Sequence, residues 1–336
     1  MSKALLALED GRYWWGRSVG VAGEASGEVV FNTSMTGYGE ILTDPSYRGQ
    51  LVTLTASHIG NYGIDPIDWE DAKPWAEALI VRTLTDRPSN WRSTESLGAL
   101  LARMGVMAVA DLDTRAITRH IRAAGALRGV LSTEDLDPAS LVAKAQAVPH
   151  MEGRDLASSV GTAEAYRWTE GTPADWTLLQ LAPPAEPGLG GGRHVVVYDF
   201  GVKRNTLRRL VDLGCTVTVV PNRTTAAEAL ALNPAGVLIS NGPGDPATLD
   251  YAVEAIRGLM AQVPVFGICL GHQLIGQALG GKTFKLPFGH HAGNHPVRDT
   301  RSGNVRITAQ NHGFAVDTAS LPDDVEVTEL NGNDQT

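Results

Sequence analysis

The sequence predicts an α/β protein in two domains: a mixed, strand-rich first half and a doubly wound parallel sheet in the second. Three observations predict it. The chain has 336 residues, about twice the length of an ordinary domain. Residues 181–194 crowd Pro and Gly together without an apolar period, as a linker does. Beyond them, buried-strand runs and helical patterns alternate, the mark of a parallel sheet covered on both faces.

In the first half, residues 51–57 alternate like a strand and 78–85 read as extended. Helical periodicity runs over 94–104 and 113–124, the second stretch ending at Gly125. Between them the short apolar run 106–111 reads as a buried strand. Asp137-Pro138 is an N-cap followed by proline at the first helical position. In the second half, strands are expected at 194–199, 216–220, 236–240 and 263–268. Helices are expected at 203–213, from Thr225 to Leu232, over 249–262, and directly after Gly271. Thr225 and Glu228 form a capping box. The division is a first domain at 1–150, a connecting segment and linker at 151–192, and a second domain at 193–336.

Composition narrows the function class. With 43% hydrophobic and 19% charged residues, the chain is an ordinary globular protein with core enough to fold without staples. A net charge of −9 argues against nucleic acid or anionic membrane as a general partner. Two cysteines, Cys215 and Cys269, are no disulfide framework and point to a reducing, cytoplasmic compartment. The first apolar run meets Glu9 and Asp10 too soon for a signal peptide. No run of about 18 apolar residues suggests a membrane span.

The chemistry centres on Gly267-Ile268-Cys269-Leu270-Gly271, between the fourth strand and a helix. A G-x-C-x-G turn in that context is the cysteine form of a nucleophile elbow. The turn strains the nucleophile's backbone and presses the residues two before and two after together, so glycines stand there. It also sets Cys269 at a helix N-terminus, which favours thiolate, and aims the Leu270 N–H at an oxyanion. The bland alternative is a buried, inert cysteine, which is the reading for Cys215. A second turn, Asn241-Gly242-Pro243-Gly244-Asp245-Pro246, follows the third strand on the same sheet edge. There Gly242 can offer a second oxyanion N–H, or the turn can be only a turn.

Two further patterns lead elsewhere. Gly276 to Thr283 matches G-x-x-x-x-G-K-T, but it leaves a helix through Gly280-Gly281 instead of entering one from a strand, so it is no phosphate loop. His290, His291 and His295 lack a Cys or carboxylate at a familiar metal spacing, and read as loop or core residues. No metal is expected.

The segments 266–273 and 240–246 resemble those of class I, triad-type glutamine amidotransferases. Residues 27–55, 198–205, 288–297 and 308–317 narrow the resemblance to the family of small, glutamine-hydrolysing subunits of carbamoyl-phosphate synthetase. The resemblance runs from Leu5 to the last residues. It implies an amidotransferase fold for the second domain and partner docking for the first. It also implies attack by Cys269 on the side-chain amide of glutamine, with ammonia passed to a large subunit that uses ATP and bicarbonate. By matched motif, Leu270 and Gly242 form the oxyanion hole. Ser46, Gly242, Gly244, Leu270, Gln273, Asn311, Gly313 and Phe314 bind glutamine. The chain needs no cofactor of its own; ATP and magnesium belong to the large partner.

The family's catalytic base and its carboxylate sit on a His-Pro-Glu-like segment on a late strand. The sequence runs to Thr336 without such a segment, and its nine histidines all lie at or before His312. The second domain is therefore expected to be shortened at its C-terminus. A positioned base contributes about 10² to 10⁴ in rate, so acylation should suffer more than glutamine binding. Two other classes fit the same residues: a free-standing cysteine hydrolase, and a non-catalytic docking form.

Overall fold

Period-two burial organises the first half of the chain. A computed structural model describes residues 2–173 and 189–336. Its early strands are β1 (Lys3–Leu8), β2 (Tyr13–Ser18), β3 (Glu24–Asn32), β4 (Gln50–Leu54), β5 (His58–Ile59), β6 (Ala78–Ile80), β7 (Thr83–Leu84), β8 (Met107–Ala110) and β9 (Leu127–Ser132). Seven of them close a barrel in the order β1-β2-β8-β6-β4-β3-β9. The run β3-β4-β6-β8 is parallel, and the remaining pairings are antiparallel. Alternate side chains part company along each strand. Ala4, Leu6 and Leu8 of β1 join Val29, Leu51 and Ile80 in one cluster, while Leu5 and Ala7 pack with Leu141 and Ala145 in another. Strands buried on both faces carry apolar residues at consecutive positions, which hides the alternation from a sequence reading.

Four helices accompany the barrel: α1 (Tyr38–Thr43), α2 (Leu97–Arg103), α3 (Thr114–Ala124) and α4 (Pro138–Ala147). Ser96, Asp113 and Asp137 cap α2, α3 and α4 with side-chain oxygens, and Gly125 ends α3 at φ 96°. The extended run 78–85 divides into β6 and β7. Its strand reading holds on both sides of the break at Val81-Arg82.

The second half follows a simple alternation. A sheet ordered β10-β12-β11-β13-β14 forms from β10 (Tyr166–Trp168), β11 (His194–Asp199), β12 (Thr216–Pro221), β13 (Gly236–Ile239) and β14 (Val265–Gly267). The last four are parallel, and β10 adds an antiparallel edge that the sequence pattern did not announce. Helix α5 (Arg204–Asp212) packs Leu207 and Leu210 against Val197, Val219 and Leu238. Helices α6 (Ala226–Ala231), α7 (Asp250–Met260) and α8 (Leu270–Ala278) pack with Val196, Tyr198, Val237 and Ile239. Neighbouring strand residues thus face opposite layers, as a doubly wound sheet requires. The capping box of α6 is present as Thr225 and Glu228.

The chain divides into two compact units, Met1–Glu152 with Lys285–Gly313 and Val327–Thr336, and Gly153–Phe284 with Phe314–Glu326. This cut differs from the division at 1–150, 151–192 and 193–336. Residues 285–313 cluster with the barrel through bonds at their start, and 327–336 pair in turn with 290–299. Phe288 stacks on Phe31 at 5.7 Å, Lys285 pairs with Glu28 at 2.8 Å, and Ala126 N donates to Pro287 O. These residues belong to β15 (Lys282–Asp299), β16 (Val305–Asp317) and β17 (Glu329–Asn331), which form a three-stranded sheet. Most of the expected linker, residues 181–188, lies outside the described residues. Among the described residues no helix is long and apolar enough to cross a membrane.

Candidate active site

In the second unit the elbow has the backbone its glycines imply. Cys269 stands between β14 and α8 with φ 55° and ψ −110°, a region L-residues avoid. A Cβ on Gly267 would lie 2.4 Å from the carbonyl carbon of Gly271, and one on Gly271 would lie 2.1 Å from Ile239 O. Neither obstacle is a side chain that can swing away. Gly271 N donates to Ser240 O at 3.1 Å, and Ile268 N to Ile239 O at 3.0 Å, so β13 holds the turn from below. Leu270 opens α8 and is buried.

The second glycine turn is beside it. A Cβ on Gly242 would meet Phe200 O at 2.2 Å and Leu270 Cδ2 at 2.9 Å, which places the two turns next to each other. Asn241 donates to Gly201 O at 2.8 Å, and Ser240 Oγ accepts from Phe200 N at 3.0 Å. Gly244 has φ 94°, and a Cβ there would lie 2.7 Å from Arg154 O. Asp245 accepts from Ala247 N and from Gly153 N at 2.9 Å each, locking the turn's exit. Gln273 is buried one turn into α8, and its Nε2 donates to Phe314 O at 2.7 Å. Cys269, Leu270, Gly242, Gly244, Gln273 and Phe314 therefore belong to one unit, around one sheet edge.

The other three predicted residues belong to the barrel unit. Ser46 lies in the 3-10 turn Pro45–Tyr47, whose N-cap is Asp44. Asn311 and Gly313 lie on β16. Asn311 Oδ1 meets His291 Nδ1 at 2.7 Å, and Asn311 Nδ2 donates to Asp44 Oδ2 at 2.9 Å. The sequence reading did not single out Asp44, and it took His291 as a loop or core residue, which its burial bears out. For Asp44 the Asp-Pro signature was there to be used, as at Asp137-Pro138.

The set-aside patterns also have places. Gly276 is inside α8, Gly280 has φ 98° just past its end, and Lys282 starts β15, so the G-x-x-x-x-G-K-T run passes from helix to strand. His290 and His291 are buried in β15, and His290 Nε2 meets Asp334 Oδ2 at 2.7 Å. Among the described residues no group of three or more His, Cys, Asp or Glu is arranged to hold a metal ion. Cys215 is half-buried just before β12 and packs against the α5 layer.

Known proteins match both halves. The family described as carbamoyl-phosphate synthase small chain, CPSase domain, matches residues 6–131, and glutamine amidotransferase class-I matches 196–336. A carbamoyl phosphate synthase small chain of Syntrophotalea carbinolica is 52% identical over 334 residues, covering 99% of this chain and 88% of that protein. Those of Salmonella typhi and Escherichia coli K12 are 54% and 53% identical over 330 residues, covering 98% of this chain and 86% of each. The chain belongs to the carbamoyl-phosphate synthase small-chain family. Its small-chain domain match falls on the barrel, and its amidotransferase match begins in β11 and carries the Cys269 elbow.

Proposed function

We propose that this small chain hydrolyses L-glutamine to glutamate and ammonia through a thioester on Cys269, and passes the ammonia to a large subunit that makes carbamoyl phosphate from bicarbonate and ATP. The observation that carries the reading is Cys269 at φ 55° on a glycine-walled elbow at the head of α8, within an amidotransferase class-I match.

The steps follow from that geometry. The Cys269 thiolate adds to the side-chain carbonyl carbon of glutamine, and the C–O π electrons move onto oxygen. Backbone N–H groups of Leu270 and Gly242 stabilise that oxyanion. Collapse expels the amide nitrogen, which leaves as ammonia after taking a proton, and the acyl group stays on sulfur. Water then adds to the thioester, and collapse returns the thiolate and releases glutamate. We leave the group that moves these protons unassigned. Ser46, Gly244, Gln273, Asn311, Gly313 and Phe314 bind the amino-acid end of the substrate, where backbone and amide groups match an ammonium and a carboxylate.

The chain is assigned no cofactor; ATP and magnesium act on the large partner. We place the protein in the cytoplasm, in keeping with two cysteines that form no disulfide.

Cys269→Ser tests the reading in the complex with the large subunit. Glutamine-dependent carbamoyl phosphate synthesis should be lost by a factor of about 10³ or more, while synthesis from added ammonia continues. Survival of glutamine-dependent synthesis would remove Cys269 as the nucleophile. Labelling of Cys269 by peptide-like electrophiles in preference to glutamine-like ones would favour a free-standing hydrolase.

A further inference from the structure

Two buried side chains of the barrel unit, Asp44 and His291, flank the Asn311 amide, and Asp44 links it to Ser46. Asp44 is 2% exposed. Its Oδ1 accepts from Ser46 N at 2.9 Å, and its Oδ2 accepts from Asn311 Nδ2 at 2.9 Å. Asn311 Oδ1 faces His291 Nδ1 at 2.7 Å. The hydrogen bonds decide every orientation along this line. A carboxylate only accepts, so the Asn311 nitrogen must be the atom facing Asp44. The Asn311 oxygen then faces His291, so His291 Nδ1 must carry the proton.

The far side of the imidazole agrees. His291 Nε2 is buried without a hydrogen-bond partner. A Cβ on Gly289, which has φ 72°, would lie 2.3 Å from it, so Gly289 leaves just the room the ring needs. A proton at that nitrogen would be an orphaned donor, which is costlier than an unused lone pair. The ring is held neutral as the Nδ1–H tautomer, with one donor to give and one acceptor to give it to.

We propose that Asp44 and His291 are positioning residues for glutamine: they fix which way round Asn311 presents its amide and hold the Ser46 turn to it. The inference rests on the assignment of Ser46 and Asn311 to the glutamine site under the proposed function. Neither Asp44 nor His291 touches substrate in this proposal. An Asn side chain free to flip would present the wrong partner half the time, and a donor facing a donor loses the bond outright.

The test is glutamine binding by the full chain, read as the Kd from calorimetry and as protection of Cys269 from iodoacetamide. Asp44→Asn keeps an oxygen to cap the Ser46 turn but points an NH₂ at the NH₂ of Asn311. It should weaken glutamine binding about tenfold or more, while the alkylation rate of Cys269 without glutamine stays within about twofold. His291→Leu should weaken binding similarly. His291→Asn, whose Nδ2 can donate from the place of Nδ1, should stay within about threefold of the unaltered chain. Binding unchanged in Asp44→Asn and His291→Leu would overturn the proposal. Equal loss in His291→Leu and His291→Asn would do so too, since packing alone would then explain it. If Asp44→Asn does not fold, the two His291 variants decide. An unaltered chain that glutamine does not protect would overturn the proposed function and this inference with it, whereas protection that no variant changes overturns only the inference.

Discussion

At Gly271 the chain has no space for a methyl group, because Ile239 O already occupies it at 2.1 Å. Gly271→Ala must displace β13 or α8. We expect a loss of about 1–3 kcal/mol in urea unfolding, together with a slower alkylation of Cys269 as the elbow opens. His291 makes a second prediction at this scale. Burial pushes its imidazole down to about 3, against the hydrogen bond to Asn311 and with help from His312, Lys285 and His290. The unfolded side chain titrates near 6.5, so below that pH the unfolded state binds a proton the folded state refuses. This contribution to stability is complete above about pH 6.5 and is lost as pH falls toward 3, at up to about 1.4 kcal/mol per pH unit. Urea midpoints at pH 7, 6 and 5 should decline steeply for the unaltered chain and less steeply for His291→Leu. The elbow and its glycines could be read from the sequence because their constraints act over five residues. The neutral state of His291 could not, because it depends on Gly289, Asn311 and burial together.

Helix ends were the most legible elements. Asp44, Asp65, Asp137 and Asp245 each precede proline, and each side chain accepts a backbone N–H two residues on. The reason is local: the proline supplies φ, and the carboxylate supplies the missing acceptor. Replacing Thr225 by Ala removes one half of the capping box on α6 and should cost about 1 kcal/mol by thermal or urea unfolding. The sheet elements were read less completely. β15 alternates only at its start, with Phe284, Leu286 and Phe288 two apart; beyond them Gly289, Gly293, Pro296 and three histidines break the pattern. Its strand character comes from its partners, such as the register Val297 to Asn331, which the local sequence does not encode. Likewise 78–85 splits because Ala78–Ile80 pair with β4 and β8, whereas Thr83 and Leu84 pair with His58 and Ile59 of β5.

Over the whole molecule, the two units differ in how they end their sheets. The barrel closes on itself through β1 and β9, so its strands present no edge. The open sheet has β14 at one end of its order among the described residues, with Phe266 65% exposed. Hydrogen exchange should therefore find the amides of β3 and β4 among the slowest and those of β14 among the fastest in any strand of comparable length. Equal protection of β14 and β4 would contradict this account. Within the barrel unit, Arg128 bonds Glu9 and also donates to Val148 O at 2.7 Å, tying the end of α4 to the barrel wall. Arg128→Ala should raise exchange in α4 while leaving β4 protected.

The α/β class, the doubly wound character of the second half, the cysteine elbow and the family were all readable along the chain. The first three are carried by periodicity or by residues a few positions apart, and the family by the resemblance of short motifs along the whole chain. It took the folded chain to reveal that the first half closes into a barrel, that residues 285–313 join it, and that Asp44 meets Asn311 across 267 residues. The reason is that a hydrogen bond between distant segments leaves no period in the chain, and exists only once burial has brought its donor and acceptor together.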